Sequence, residues 1–346
     1  MALVELFPDQ PDGSHEPENL IAPLSPFETQ KDFFLPNNME CTTLEQRIGG
    51  GVIHRYVKME VDGFSHKGWY TPADREQDSD YLLVVKPGLA EVIHDGIGFT
   101  LHKRLATALP TMSVFSHETD GVGKYAESLS PSDLLTHGID QMSLQGLELL
   151  KRFGEGKRII TLGTSMGTVI FNNLLLNNIN QGEPVDVAGV VNFAPALVDP
   201  RRVPLDMAAR FVPGLAVDLA KEIVKTDGRH IGNFILMLLD SRPSFKDILP
   251  FSKQIFDLLH GTPLEEIEEV VSRYPVDVIV GDRDPVGQYK MWLKLEEKYP
   301  ELTAHILHKK GHGISIKPYE SSKKISAVVS KRYQTSLSES ETSRSV

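Results

Sequence analysis

The sequence predicts an α/β protein, with a mainly parallel, doubly wound sheet and a helical cap insertion. Three observations lead there. Short apolar runs alternate with stretches of helical spacing, which implies βαβ units joined by right-handed crossovers. The run "IITLGTSMGTVIF" (159–171) passes from a strand pattern through Gly-Xaa-Ser-Xaa-Gly straight into a helix pattern. Residues 200–272 then break the alternation, holding several apolar helical patterns and no convincing strand.

Each element follows from its own stretch. Residues 1–44 are rich in Pro, Asp, Glu and Asn without a sustained period, and are read as an extended N-terminal arm. "VIHRYVKMEV" (52–61) and "SHKGWYTP" (65–72) form an antiparallel pair around Asp62-Gly63. "YLLVVKPG" (81–88) is a short apolar run ending in Pro-Gly, as expected of a buried parallel strand. A helix near 98–108 and the strand "TMSVFSH" (111–117) come next. Leu135, Ile139, Met142, Leu149 and Leu150 recur at helical spacing over 131–154, with "SPSD" supplying the helix start. The strand "RIITLG" (158–163) and the helix "GTVIFNNLLLNN" flank the Gly-Ser-Gly turn. "VAGVVNFAP" (187–195), "VDVIVGD" (276–282) and "LTAHILHKKGHG" (302–313) complete the strands, and a last helix spans about 318–333. The core is therefore 45–199 with 273–333, the cap is 200–272, and the Ser- and Glu-rich 334–346 is read as a disordered tail.

Composition narrows the function classes. The chain has 346 residues, enough for one large domain with an insertion. A net charge of −11 without a basic stripe excludes a general nucleic-acid role. The single cysteine, Cys41, allows no intramolecular disulfide and fits a reducing compartment; a catalytic thiol is the weaker reading of it. No secretory signal pattern opens the chain, and no run approaches the roughly 18 apolar residues of a membrane span. The expectation is a soluble, cytoplasmic protein.

Gly163-Thr164-Ser165-Met166-Gly167 carries the chemistry. Alone the pattern is weak; between a strand and a helix it becomes specific, because a nucleophile there stands on a tight turn at the positive end of the following helix. Such a serine needs a base and an orienting acid. His312 in "KKGHGISI" directly follows the last strand and has a glycine on each side, so it is preferred among the twelve histidines as the base. His94, His102 and His117 lie near the expected rim and are secondary candidates. Asp284 in "VIVGDRDPVG" is the preferred acid, with Asp282 and Asp199 as rivals, each in a loop after a core strand.

The order Ser165, Asp284, His312, each after a core strand, resembles the α/β-hydrolase superfamily of serine hydrolases over about residues 45–332, lid-like insertion included. The resemblance implies a Ser-His-Asp triad and an oxyanion hole made by the Met166 N–H and a second donor from the loop after "YLLVVKPG". Leu89 N–H fills that place, although Lys86-Pro87 stands where relatives often have His. "SHETDGVGKYAESLSP" partly matches a glycine-rich family stretch and carries no catalytic role. The epoxide and haloalkane branches need Asp where this chain has Ser165.

The function read from these residues is hydrolysis of a carboxylic ester through an acyl-enzyme, without cofactor or metal. The many apolar residues of the insertion suit a small-molecule ester with an apolar, lipid-like acyl group, or simply form the insertion's own core. An acyltransferase on the same three residues, a peptidase and a non-catalytic binding protein of the same fold stay open.

Overall fold

The computed structural model describes residues 41–74, 80–88, 94, 96–118, 131–196, 257–258, 262–284 and 286–334, without the side chains of 131–137, Ile316 and Gln334. Nine strands form one sheet: β1 (Cys41–Gly49), β2 (Val52–Val61), β3 (Phe64–Thr71), β4 (Tyr81–Lys86), β5 (Ser113–His117), β6 (Arg158–Thr164), β7 (Val187–Phe193), β8 (Val276–Gly281) and β9 (Leu302–Leu307). Their spatial order is β1-β2-β3-β5-β4-β6-β7-β8-β9. The first three strands and β5 pair antiparallel in succession, and every pair from β5 to β9 is parallel.

Six α-helices lie among the described residues: α1 (Gly96–Ala108), α2 (Pro131–Phe153), α3 (Met166–Asn180), α4 (Leu264–Arg273), α5 (Tyr289–Lys298) and α6 (Pro318–Val329). Strand periodicity sorts them into two layers. In β4, Leu82 and Val84 face a core shared with α2 to α5, while Leu83 and Val85 face a core built with α1 and α6. Helices on both sides explain why β4, β6, β7 and β8 read as almost unbroken apolar runs. No helix among the described residues is long and apolar enough to cross a membrane.

Three features differ from the sequence reading. β1 begins at Cys41, inside the stretch read as an arm, and pairs with β2 along its length through a bulge between Thr43 and Glu45. The helix α5, which the sequence reading omits, buries Trp292 and Leu295 against the main core. The helix α4, at the end of the stretch read as a cap, buries Ile267, Val270 and Val271 in that same core. Residues 201–256, the body of that stretch, lie outside the described residues, as do 1–40 and 335–346.

The helix α2 is broken at Gly138, whose φ of 53° and ψ of −132° interrupt the helical path. Asp257 Oδ2 accepts the next amide, Ile139 N–H, at 3.0 Å. That bond ties Asp257 to a helix that packs on α3. Ile139, Met142, Met166, Val169, Ile170, Ala196, Leu258 and Val286 form a separate apolar cluster that includes the first residues of α3.

Candidate active site

The turn between β6 and α3 is tight because backbone meets backbone on both of its sides. A Cβ on Gly163 would stand 2.7 Å from Thr168 N, and one on Gly167 would stand 2.2 Å from the Lys86 carbonyl oxygen. Only glycine fits either place. Ser165 between them has φ 48° and ψ −116°, a conformation that costs an L-residue on the order of 1–3 kcal/mol. Several bonds hold it there. Ser165 N–H donates to Phe193 O at 3.1 Å, and the Ser165 carbonyl accepts from Thr168 Oγ1 at 2.6 Å and Thr168 N–H at 3.0 Å.

The result is a partly exposed hydroxyl at the carboxyl end of the sheet, beside β4, where the strand order reverses. Clefts at such reversal points are where open α/β sheets bind ligands. Met166 opens α3, so its N–H is one of the helical amides that have no intrahelical carbonyl to bond.

His312 reaches the serine from the far side. Its loop lies against the end of β8 because Gly281 carries no side chain: a Cβ there would meet Lys310 O at 2.1 Å. Arg283 N–H donates to that same carbonyl at 3.0 Å. The chain then turns through a short 3₁₀ helix, His312–Ile316, with Ser315 Oγ donating to His312 O. His312 Nε2 stands 2.8 Å from Ser165 Oγ, and its Nδ1 stands 2.9 Å from Asp284 Oδ2. The side chains of Asp284 and His312 are 0% and 6% exposed, so their contact is shielded from water.

Asp284 divides its oxygens. Oδ1 accepts Val286 N–H at 2.8 Å and Gly287 N–H at 2.9 Å, closing an Asx turn, while Oδ2 is left for the imidazole. A carboxylate can only accept, so Nδ1 of a neutral His312 carries the proton and Nε2 presents a lone pair to Ser165. In this state the serine hydroxyl donates to a base whose tautomer is fixed from behind.

The rival residues are placed elsewhere. Asp282 accepts Lys309 N–H and pairs with His308 Nδ1, each at 2.7 Å, and so braces the turn after β9. His94 Nε2 contacts Glu45 Oε2 at 2.7 Å, His102 lies between Thr71 and Ser116, and His117 lies between Lys86 and His66. Burial pushes the Cys41 thiol up to about 11, which disfavours the thiolate a nucleophile would need. Asp199 and Leu89 lie outside the described residues. The sequence reading missed the supporting roles of Thr168, Lys86 and Gly287. The spacing Asp-Pro-Val-Gly was the available signal for the last, since it is an Asx-turn pattern.

No family model matches the chain, and no curated protein matches it. Solved structures do. A serine hydrolase involved in carbazole degradation (CarC enzyme) is 15% identical with a TM-score of 0.54, over 80% of this chain and 100% of that one. A structure from work on carboxylesterases of Nitrososphaera gargenis is 16% identical with a TM-score of 0.51, over 79% and 99%. An α/β-hydrolase fold protein from Chitinophaga pinensis is 17% identical with a TM-score of 0.52, over 79% and 96%. At these identities the likeness is one of fold, and the fold is that of the α/β hydrolases, as the sequence reading expected.

Proposed function

We propose that this α/β-hydrolase-fold chain is a serine hydrolase that cleaves a carboxylic ester through an acyl-enzyme. The observation that carries the reading is the hydrogen-bonded series Ser165 Oγ–His312 Nε2–His312 Nδ1–Asp284 Oδ2, buried at its acid end and open at its hydroxyl end. Among structures of the same fold are a serine hydrolase and a carboxylesterase study, which agrees with it.

In the proposed reaction, Ser165 Oγ attacks the ester carbonyl carbon as His312 Nε2 takes the hydroxyl proton. The carbonyl π pair moves onto oxygen, where the N–H groups of Met166 and Leu89 receive it. Asp284 stabilises the imidazolium and holds its orientation without itself taking the proton. The tetrahedral centre collapses, the C–O bond to the alcohol breaks, and His312 protonates the departing oxygen. Water then attacks the acyl-enzyme by the same steps, with His312 as base, and releases the acid and free Ser165.

Labelling with a fluorophosphonate, followed by turnover of short and long p-nitrophenyl esters, tests the reading against Ser165→Ala. We expect labelling at Ser165, and loss of both signals in the variant by about 10⁶-fold in kcat. A wild-type protein that neither labels nor turns over any ester contradicts it.

A further inference from the structure

Thr168, in the first turn of α3 and fully buried, has a hydroxyl with two backbone partners. Its Oγ1 stands 2.6 Å from the Ser165 carbonyl oxygen, which can only accept, so the hydroxyl proton points there. A lone pair of the same oxygen accepts Ala196 N–H at 3.3 Å. The chain reaches Ala196 from β7 through Ala194, whose φ of 44° lies in the left-handed region and whose N–H donates to Ile279 O at 2.8 Å. The direction of the hydroxyl is thus fixed from both sides. Thr168 N–H at 3.0 Å and Ala196 N–H at 3.4 Å also donate to Ser165 O, and the hydroxyl bond is the shortest of the three. Helical threonines often bond a carbonyl three or four residues back; here that carbonyl belongs to the serine of the tight turn.

Ser165 C=O and Met166 N–H belong to one peptide group. That group is planar and trans, so its carbonyl and its amide point in opposite directions, and fixing one end fixes the other. The carbonyl points into the first turn of α3, toward Thr168, and the Met166 N–H therefore points out of the helix start. No carbonyl of its own helix holds that N–H, and the φ and ψ of Ser165 are far from helical. Regular helix geometry alone does not set the aim of this peptide; the bonds to its carbonyl do. A carbonyl that accepts hydrogen bonds also makes its own amide a stronger donor, because linked bonds polarise one another.

We propose that Thr168 is a positioning residue whose hydroxyl holds the Ser165 carbonyl and thereby aims the Met166 N–H at the oxyanion. The inference rests on the serine-hydrolase reading, in which Met166 N–H receives the developing charge. Thr168 acts from behind the peptide and touches neither the substrate nor the reacting atoms. A ground-state ester carbonyl draws little on the alignment of its donors, whereas the tetrahedral intermediate carries a full negative charge on that oxygen. The hydroxyl should therefore act on kcat and leave KM almost unchanged. Losing a whole oxyanion donor costs on the order of 10²–10³ in kcat, and misaiming one that stays in place should cost less, about tenfold. The loss is partial because Thr168 N–H and Ala196 N–H still bond the carbonyl.

The experiment compares p-nitrophenyl acetate with its thiono analogue, in which sulfur replaces the carbonyl oxygen. The proteins are the wild type, Thr168→Val, Thr168→Ala and Thr168→Ser. Sulfur is a weak acceptor, so the thiono ester draws little on the oxyanion donors while needing the same attack by Ser165 and the same proton transfer to His312. Nitrophenolate release is read with enzyme in excess, which gives kcat/KM for both esters even where the reaction is slow. Steady-state turnover of the oxygen ester gives kcat and KM separately. Valine keeps the branched shape without the hydroxyl, and serine keeps the hydroxyl. Thr168→Val and Thr168→Ala should lose about tenfold in kcat on the oxygen ester, with KM within about twofold, and at most about twofold on the thiono ester. Their oxygen-to-sulfur ratio of kcat/KM should therefore fall about fivefold or more, and Thr168→Ser should restore both the rate and the ratio. The proposal is overturned if the valine and alanine variants keep the wild-type ratio, whether their rates are unchanged or fall alike on both esters, as a displaced nucleophile would make them. It falls too if serine fails to rescue, or if only the serine variant folds by circular dichroism, since the hydroxyl then serves stability. Failure of the underlying reading looks different: the wild type itself would not label with fluorophosphonate at Ser165.

Discussion

Asp284 joins two tasks, that of a turn-forming aspartate and that of the proposed catalytic acid. Oδ1 closes its own turn, and Oδ2 selects the His312 tautomer. An asparagine can keep the first task with its carbonyl oxygen, but its NH2 group then stands in the place of Oδ2 and, as a donor, cannot accept from Nδ1–H. It would favour the other tautomer, with the proton on Nε2 pointing at Ser165. We therefore expect Asp284→Asn to fold and to lose roughly 10⁴-fold in kcat, a size known for that exchange in a serine protease. Asp282→Asn, whose carboxylate braces His308 and Lys309, should stay within a few-fold of wild type. Steady-state kinetics of the pair decide it, and equal losses would remove Asp284 from its proposed role. Ser165, Asp284 and His312 were legible because each stands in a Gly- or Pro-marked loop directly after an apolar strand run. Lys86 was not, since in sequence a lysine ending a strand looks like any residue at a solvent-facing turn.

At the scale of elements, the site depends on two loops lying against strand ends closely enough that glycine is required. Gly167 lets the serine turn touch the end of β4, and Gly281 lets the His312 loop touch the end of β8. Gly167→Ala places a methyl 2.2 Å from the Lys86 carbonyl and 2.7 Å from that of Pro87. Both obstacles are backbone, so no rotamer change relieves them. We expect a stability loss of about 3 kcal/mol, read as a lower urea midpoint, together with loss of ester turnover as Ser165 shifts. An unchanged midpoint would mean that the turn is looser than its contacts imply. The parallel strands were readable because two-sided burial leaves unbroken apolar runs. β1 was not, because "CTTLEQRIG" shows no alternation and is held by pairing with β2. Its one signal was the Gly50-Gly51 turn, with φ values of 60° and 77°, that joins it to β2. The helix α5 was likewise hidden, since a surface helix that buries mainly Trp292 and Leu295 offers only a thin apolar stripe.

For the whole molecule, the histidines set the limits of acid stability. Four of the buried ones lie in β2, β3, α1 and β5: His54, His66, His102 and His117. Burial pushes His54 down to about 4, with Lys103 nearby adding to the effect and a bond to Gly49 O opposing it. His66 also falls to about 4, through burial and the Lys86 charge, against Glu60. His102 and His117 are held well below the usual imidazole value, first by burial and then by His54 in one case and by Lys86 and His66 in the other. In the unfolded chain each titrates near 6.5. A lowered folded-state value means that the stability is complete above about pH 6.5 and is lost as pH falls toward 4, where only the unfolded chain has gained protons. At pH 5, His54 and His66 each remove about 2 kcal/mol by this linkage. A domain with roughly 5–15 kcal/mol to lose should then unfold cooperatively between pH 5 and 4. Urea titrations from pH 7.5 to 4.5 should show a midpoint that is flat above pH 7 and falls steeply below 6. His54→Gln should reduce that slope while lowering the plateau, because its bonds to Thr71 and Gly49 are only partly replaced. A midpoint that stays level down to pH 5 would show that these imidazoles accept protons inside the fold.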